Sequence, residues 1–494
     1  MDATDRELVL TIDAGGSSVK ATVLSSASGR LLGRSRRCYR PIFRRPGCVE
    51  FDPASWWAVI VAACREAVEL AGAPPARYAG VTCTGMRGPF VLVDAAGEPL
   101  DAGVLVPDRR GAPLLAEIER SIGRRDLYER TGHWLSSRFG LPKVLWFLRQ
   151  APGVFARTRH VLQLHDWLIS RLSGVTISEP SSASMSQMLD VRGRSWATEL
   201  LATLGIPESV LPPLVDAGAF VGGLLPGTAS EVGLLAGTPV HAGGGDTHMG
   251  AFGADAARLG TIAVVGGSTT PVQLTGNEDS SVGDGAPLVS AHLRPGLLAS
   301  ETNAGETGVM YQWLCDTLTP TGDLETLERM AEQAPVGADG ILITAAQPRW
   351  GESAWSRMAP ITFFGVGPEH TVGHLARAAI ECATYATAAA IEALVDRDQR
   401  SARVRALGGA SHSNAWAQTL ADVLDREVEV ADLPDPAARA GALLVCPGCD
   451  IVVDDGVPTR SFLPVPARHA RYAEFAQRFR EVSARLDAAF GEPA

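Results

Sequence analysis

One acid set among glycines is the first residue here that could do chemistry. In the stretch from Val240 to Gly253 (VHAGGGDTHMGAFG), Asp246 follows an apolar strand and three glycines and precedes further small residues. Glycines at such a turn let backbone amides and a bulky ligand come close, because no Cβ intervenes. A lone carboxylate there can take the proton of a substrate hydroxyl as that hydroxyl attacks a phosphate. The same pattern also suits an aspartate that caps the helix behind it. The residue alone does not decide between the two.

Asp13 ends the first expected strand, Leu8–Ile12, and the turn Ala14-Gly15-Gly16-Ser17-Ser18 leads into the apolar run Ala21–Leu24. A second strand–turn–strand of the same type spans Ile262–Val265, the turn Gly266-Gly267-Ser268-Thr269-Thr270, and Val272–Leu274. A third glycine cluster, Gly408–Ser411, ends the strand Val404–Leu407 and opens an alanine-rich helix. Two like hairpins half a chain apart suggest a duplicated architecture with a phosphate chain held between the halves. Turn amides and hydroxyls supply anion-binding donors. Asp13 suits Mg²⁺, which prefers oxygen ligands and keeps several waters; the plainer reading is an Asx-turn. No Gly-x4-Gly-Lys-Ser/Thr occurs, so this is not a P-loop kinase.

The elements that position these residues alternate. Strands, the helix Ala54–Ala71 and the strand Ala79–Thr82 begin an α/β pattern; Arg109–Leu172 reads mainly as helices, and the small polar residues of Ser178–Ser186 as a loop. After the strand Thr238–Ala242 the scheme repeats, with a long helix at Val372–Leu394. Tyr472, Phe475, Phe479 and Val482 mark one face of a C-terminal helix, which reads as core packing. A chain of 494 residues exceeds one hydrophobic core, so two domains are expected, divided near Gly243–Gly245.

Bulk composition excludes other classes. With 46% hydrophobic and 20% charged residues the chain is an ordinary globular protein, and a net charge of −11 argues against nucleic acid or an anionic membrane as partner. The first six residues lack the basic start and apolar block of a signal peptide, and no run is long enough for a membrane span; a cytoplasmic enzyme is expected. Only two lysines occur, Lys20 and Lys143. Cys446 and Cys449 form one Cys-x-x-Cys with no second pair to complete a zinc site, so they read as reduced thiols.

In this order the motifs resemble the FGGY family of carbohydrate kinases, in the actin-like ATPase superfamily, over nearly the whole chain. Asp13 to Lys20 resembles the family's first phosphate motif, Asp-x-Gly-Thr-Ser-x-x-Lys, with Gly16 where threonine is usual. Thr84–Gly88 sits at the sugar-contacting loop, Asp108-Arg109-Arg110 matches an Asp-x-Arg segment, Gly243–Asp246 the catalytic loop, and Gly408–Ser411 the adenosine loop. The resemblance implies two actin-like, ribonuclease H-like α/β domains, residues 1–243 and 244–494, with a cleft between them. It implies ATP and Mg²⁺ as cofactors, Asp246 as general base, and Asp13 with Asp246 at the metal. Around ATP it places Asp13, Gly15, Gly16, Ser17, Ser18, Lys20, Gly267, Ser268, Thr269, Gly408, Gly409 and Ala410. Around a small carbohydrate it places Met86, Arg87, Asp108, Arg110, Arg138 and Asp246. Homodimers are common among the relatives it resembles.

Within the family, Gly88 follows Arg87 where glycerol kinases have Glu, Arg138 stands where they place an aromatic residue, and the Met-His-Gly of xylulose kinases is absent. Autoinducer-2 kinases are more similar: they share the Asp-Ala-Gly start, the Met-Arg pair, Gly-Gly-Gly-Asp and an Asp-Trp like Asp166-Trp167. Arg87 and Arg138 together suit an oxygen-rich or carboxylated substrate, given the guanidinium fork. Two alternatives stay open: a phosphotransferase of the same fold acting on a non-sugar acceptor, and a sugar- or nucleotide-binding regulator without turnover.

Overall fold

The computed structural model describes residues 6–277, 287–319, 322–344, 361–395, 402–448, 457 and 459–490. Two mixed sheets with the same internal order dominate it. In the first, Leu8–Ala14 pairs antiparallel with Ser18–Ser25, which pairs with Leu31–Cys38. On its other side Leu8–Ala14 runs parallel to Tyr78–Gly85, then comes parallel Pro239–Gly245, and antiparallel Phe220–Gly223 closes the edge. In the second, Thr261–Val265 pairs antiparallel with Pro271–Gly276, followed by Leu298–Asn303 and Leu288–Ala291. On its other side lie parallel Arg403–Leu407 and Val428–Ala431, then antiparallel Thr459–Phe462. A hairpin followed by parallel strands is thus written twice, as the paired Gly-Ser turns suggest.

The central strands are apolar and buried on both faces, as strands covered by helices must be. One face of the first sheet takes the helix Pro53–Ala71. Asp52 caps it by accepting the Ser55 amide, Pro53 fills the first turn, and Gly72 ends it in the left-handed conformation. The other face is covered by Pro436–Val445, from near the far end of the chain. There Thr22 Oγ1 donates to Asp435 Oδ2 at 2.8 Å, and a Cβ on Gly441 would stand 2.1 Å from Thr11 Oγ1. The chain therefore crosses between the sheets twice, forward through the helix Asp246–Gly253 and back through Pro436–Val445.

The helix Val372–Glu392 forms the core of the second half, and the C-terminal helix Pro466–Phe490 lays Tyr472 and Phe479 into it. A smaller sheet of Glu50–Phe51, Gly103–Val104, Phe90–Val93 and His160–Gln163 carries the segments that flank Met86 and Asp108. One expectation fails: Ser178–Ser186 is not simply a loop but holds the buried helix Pro180–Ser184. Glu179 caps it by accepting the Ser182 amide, and its small side chains let it lie close to the strand that ends at Gly245. Among the described residues no helix is long and apolar enough to cross a membrane. Cys446 is a free, half-buried thiol, and Cys449 lies outside the described residues.

Candidate active site

Each Gly-Ser turn is closed by a hydrogen bond from a glycine amide, over three residues in the first and two in the second. Gly15 donates its amide to Ser18 O and Gly267 donates to Thr269 O, each at 3.0 Å. Gly16 and Ser17 of one turn, and Gly267 and Ser268 of the other, stay exposed. The Ser18 hydroxyl accepts from Arg36 Nε at 3.2 Å. The third cluster is pinned to the second turn at Gly266, whose carbonyl accepts the Ala410 amide at 3.1 Å. Gly408 has a φ of 91°, and a Cβ on it would lie 2.5 Å from that same carbonyl. Gly409 is exposed, and the nearest atom to a Cβ there is 3.8 Å away.

Asp13 and Lys20 face each other across the first hairpin, with Lys20 Nζ 2.6 Å from Asp13 Oδ2. The Asp13 carboxylate thus meets an ammonium rather than a turn amide. Burial works against the charge on Lys20, but Asp13 and then Asp435 outweigh it and hold the ammonium above its ordinary range.

Asp246 is the first residue of its helix, and the cap position belongs to Gly245, so its carboxylate is not the helix cap. Its Oδ1 accepts the neighbouring Thr247 amide at 2.8 Å and stands 3.6 Å from Arg87 Nε. Protein surrounds the group, yet 34% of its side chain remains open. Burial raises its pKa, Arg87 opposes that, and Asp13 adds to it; the net position is above the usual carboxylate range. Asp13 and Asp246 therefore share one electrostatic site.

Arg87 lies buried beside this acid. Its Nη2 donates to Glu301 Oε1 at 2.9 Å and to Thr247 Oγ1 at 3.1 Å, while Glu301 Oε2 accepts from Gln273 Nε2 at 2.6 Å. Burial works against the guanidinium, but Glu301 and Asp246 hold it above its ordinary range. Its Nη1 is buried without a partner. Gly245 leaves room for this side chain, since a Cβ there would be 2.6 Å from Arg87 Cδ. Met86 donates its amide to Ala14 O at 2.8 Å, and its Sδ would be 3.1 Å from a Cβ on Gly16. A side chain at position 16 would require the end of Met86 to give way by a few tenths of an ångström.

Asp108 and Arg110 are placed differently. Asp108 is wholly buried. Its Oδ1 accepts from Arg110 N and Nε, both at 2.9 Å, and its Oδ2 from Val49 N and Arg110 Nη2, both at 2.8 Å. Arg110 Nη2 also reaches Glu50 Oε1 at 2.6 Å. Every oxygen of Asp108 is thus engaged twice by protein, and the pair braces its loop. Arg138 is half-buried, and burial, with Arg109 adding to it, holds its guanidinium below the ordinary range although Glu306 opposes the shift. Its carbonyl, with those of Leu105 and Val106, accepts from Lys143 Nζ at 2.8, 2.9 and 2.9 Å. Burial pushes that ammonium down to about 7. Glu301, Lys143, Glu179 and Ser181, which takes the Gly245 amide at 3.1 Å, escape the sequence reading. A capping signal, Glu179-Pro180, was present for two of them.

Among the described residues no group of three or more His, Cys, Asp or Glu side chains is placed to hold a metal ion. Two carboxylates with cations behind them, Asp13 with Lys20 and Asp246 with Arg87, are instead a donor set that fits Mg²⁺ when phosphate oxygens and waters complete its shell.

The sequence pattern of the N-terminal domain of the FGGY family of carbohydrate kinases matches residues 8–253, and that of its C-terminal domain matches residues 251–446. An autoinducer-2 kinase of Yersinia pestis bv. Antiqua (strain Angola) is 28% identical over 467 residues, covering 91% of this chain and 86% of that one. The xylulose kinase of Rhodospirillum rubrum superposes with a TM-score of 0.84 at 26% identity, over 98% of this chain and 100% of that one. The gluconate kinase of Lactobacillus acidophilus shares the fold with a TM-score of 0.82 at 17% identity, over 98% and 99% of the two chains. With both halves matched in order along two sheets of one topology, the chain belongs to the FGGY family of carbohydrate kinases, enzymes that use ATP to phosphorylate small carbohydrates.

Proposed function

We propose that this kinase phosphorylates a hydroxyl of a small sugar, polyol or related metabolite, with Asp246 as the general base. The observation that carries this reading is the position of Asp246, a partly open carboxylate 3.6 Å from Arg87 whose pKa Asp13 helps to raise. Phosphoryl transfer asks a protein mainly for positioning and charge neutralisation. A hydroxyl within ~3 Å of the Asp246 carboxylate gives up its proton there as its oxygen bonds to the terminal phosphorus of ATP and the bond from that phosphorus to the bridging oxygen breaks, releasing ADP. Mg²⁺, when bound, neutralises charge on the phosphate oxygens; Asp13 and Asp246 would hold it, directly or through water.

Gly15–Ser18 and Gly267–Thr269 offer amides and hydroxyls to the phosphate chain, and Gly409-Ala410 offers a flat backbone to adenosine. Met86, Arg87 and Arg138 face the acceptor, while Asp108 and Arg110 act from behind by bracing their loop. Two lobes, divided in sequence at residues 243 and 244, close over the substrates and exclude water.

ADP release with Mg²⁺-ATP, measured against ketoses, polyols, sugar acids and the autoinducer-2 precursor, tests the reading. The precursor heads the panel because autoinducer-2 kinases are among the relatives that resemble this chain over most of its length. Strong release on one compound, reduced about 10²- to 10⁴-fold in Asp246→Asn, is expected. Turnover that survives Asp246→Asn would remove Asp246 from the role of base.

A further inference from the structure

The strand that delivers Asp246 carries an irregularity. Pro239–Gly245 runs beside Tyr78–Gly85 with His241 opposite Thr82 and then Gly244 opposite Thr84. The delivering strand takes three steps where its partner takes two, which is a bulge. Gly243 occupies it, and a Cβ there would stand 1.9 Å from Cys83 O, so no side chain fits.

A bulge frees a backbone amide from the ladder, and a buried amide needs an acceptor. Gly243 donates to His165 Nε2 at 3.1 Å. His165 is wholly buried in the first turn of the helix Leu164–Ser173. Nε2 accepts only when the ring proton sits on Nδ1. His165 Nδ1 is 3.0 Å from Asp166 Oδ1, which fixes that tautomer. The other oxygen, Asp166 Oδ2, takes the Gln163 amide at 3.1 Å and the Ser178 hydroxyl at 2.7 Å, so the carboxylate is itself anchored.

We propose that His165 is a positioning residue for phosphoryl transfer: it takes the amide freed at Gly243, keeps the bulge in place, and so aims Asp246 three residues later into the cleft. Without that acceptor, the strand regains its pairing by losing the extra step, and a one-residue slip reverses the direction of every side chain after it. The inference rests on Asp246 being the base.

The test compares His165→Leu, His165→Gln and Asp246→Asn by ADP release, with thermal midpoints alongside. A glutamine side-chain oxygen reaches about where Nε2 lies and accepts the same amide; leucine fills the space without accepting. A misaimed base costs on the order of 10²-fold. The expected result is a fall of that order in kcat for His165→Leu with KM for ATP little changed, and recovery of most of it in His165→Gln. Wild-type kcat in His165→Leu would overturn the inference, and so would equal losses in both variants tracking a lower thermal midpoint. If His165→Leu does not fold, histidine ¹⁵N shifts of the wild-type protein, with His165 assigned by its loss in His165→Gln, still decide. A proton resident on Nε2 would overturn the inference. Turnover surviving Asp246→Asn sinks the base assignment, whereas a dead Asp246→Asn beside an unaffected His165→Leu sinks only the role of His165.

Discussion

Arg87 and Glu301, separated by 214 residues, form a buried ion pair at 2.9 Å, and the same guanidinium stands 3.6 Å from Asp246. Arg87 comes from the first half of the chain and Glu301 from an inner strand of the second sheet, Leu298–Asn303. One cation thus divides its field between a permanent partner and the proposed base.

That division predicts opposite pH responses. The base works deprotonated, so kcat/KM for the acceptor falls as pH drops through the Asp246 pKa, which lies above the usual carboxylate range. Arg87→Met removes the charge that opposes the upward shift, and the acid limb moves to higher pH. Glu301→Gln removes a charge that favours the shift, and the limb moves to lower pH. Profiles that move together would sever the link.

Adjacent glycines should respond differently. Alanine at Gly408 meets positive φ and a carbonyl at 2.5 Å, and costs about 1–3 kcal/mol of stability. Alanine at Gly409 has only an ordinary contact at 3.8 Å, so the thermal midpoint stays put while KM for ATP rises. An unchanged KM for ATP in Gly409→Ala would argue against adenosine lying on this turn.

Much of this was legible locally. The Gly-Ser turns stand out because apolar runs flank them, and Asp246 because glycines crowd it. Asp108 and Arg110 could be read as partners in one motif, but spacing does not reveal which way they face; Val49 and Glu50, some sixty residues earlier, settle that. Glu301 sits as a lone charge on a strand, and its meaning depends on Arg87. Ser178–Ser186 misled because small polar residues resemble a loop whether they meet water or a neighbouring strand.

Arg138 is the cation to test for substrate class. If the acceptor carries a carboxylate or several close oxygens, Arg138→Ala lowers kcat/KM about 10- to 100-fold, as loss of a charge-assisted hydrogen bond does. Full activity toward a neutral polyol in that variant would sink the idea.

Asp13→Asn should raise the Mg²⁺ concentration needed for half-maximal ADP release at saturating ATP. It also removes the main partner of Lys20, so Lys20→Met serves as the control for the broken pair. A Mg²⁺ requirement raised in Lys20→Met but not in Asp13→Asn would place the ion elsewhere.

The contact between Thr22 and Asp435, 413 residues apart, has a consequence for how the protein is made. On the ribosome the helix that covers one face of the first sheet follows the Thr22 strand only some 413 residues later. At about 5–20 residues per second, that surface waits roughly 20–80 seconds for its cover. Until that helix arrives an apolar face of the first sheet stays uncovered, and a chain truncated before residue 435 is expected to aggregate.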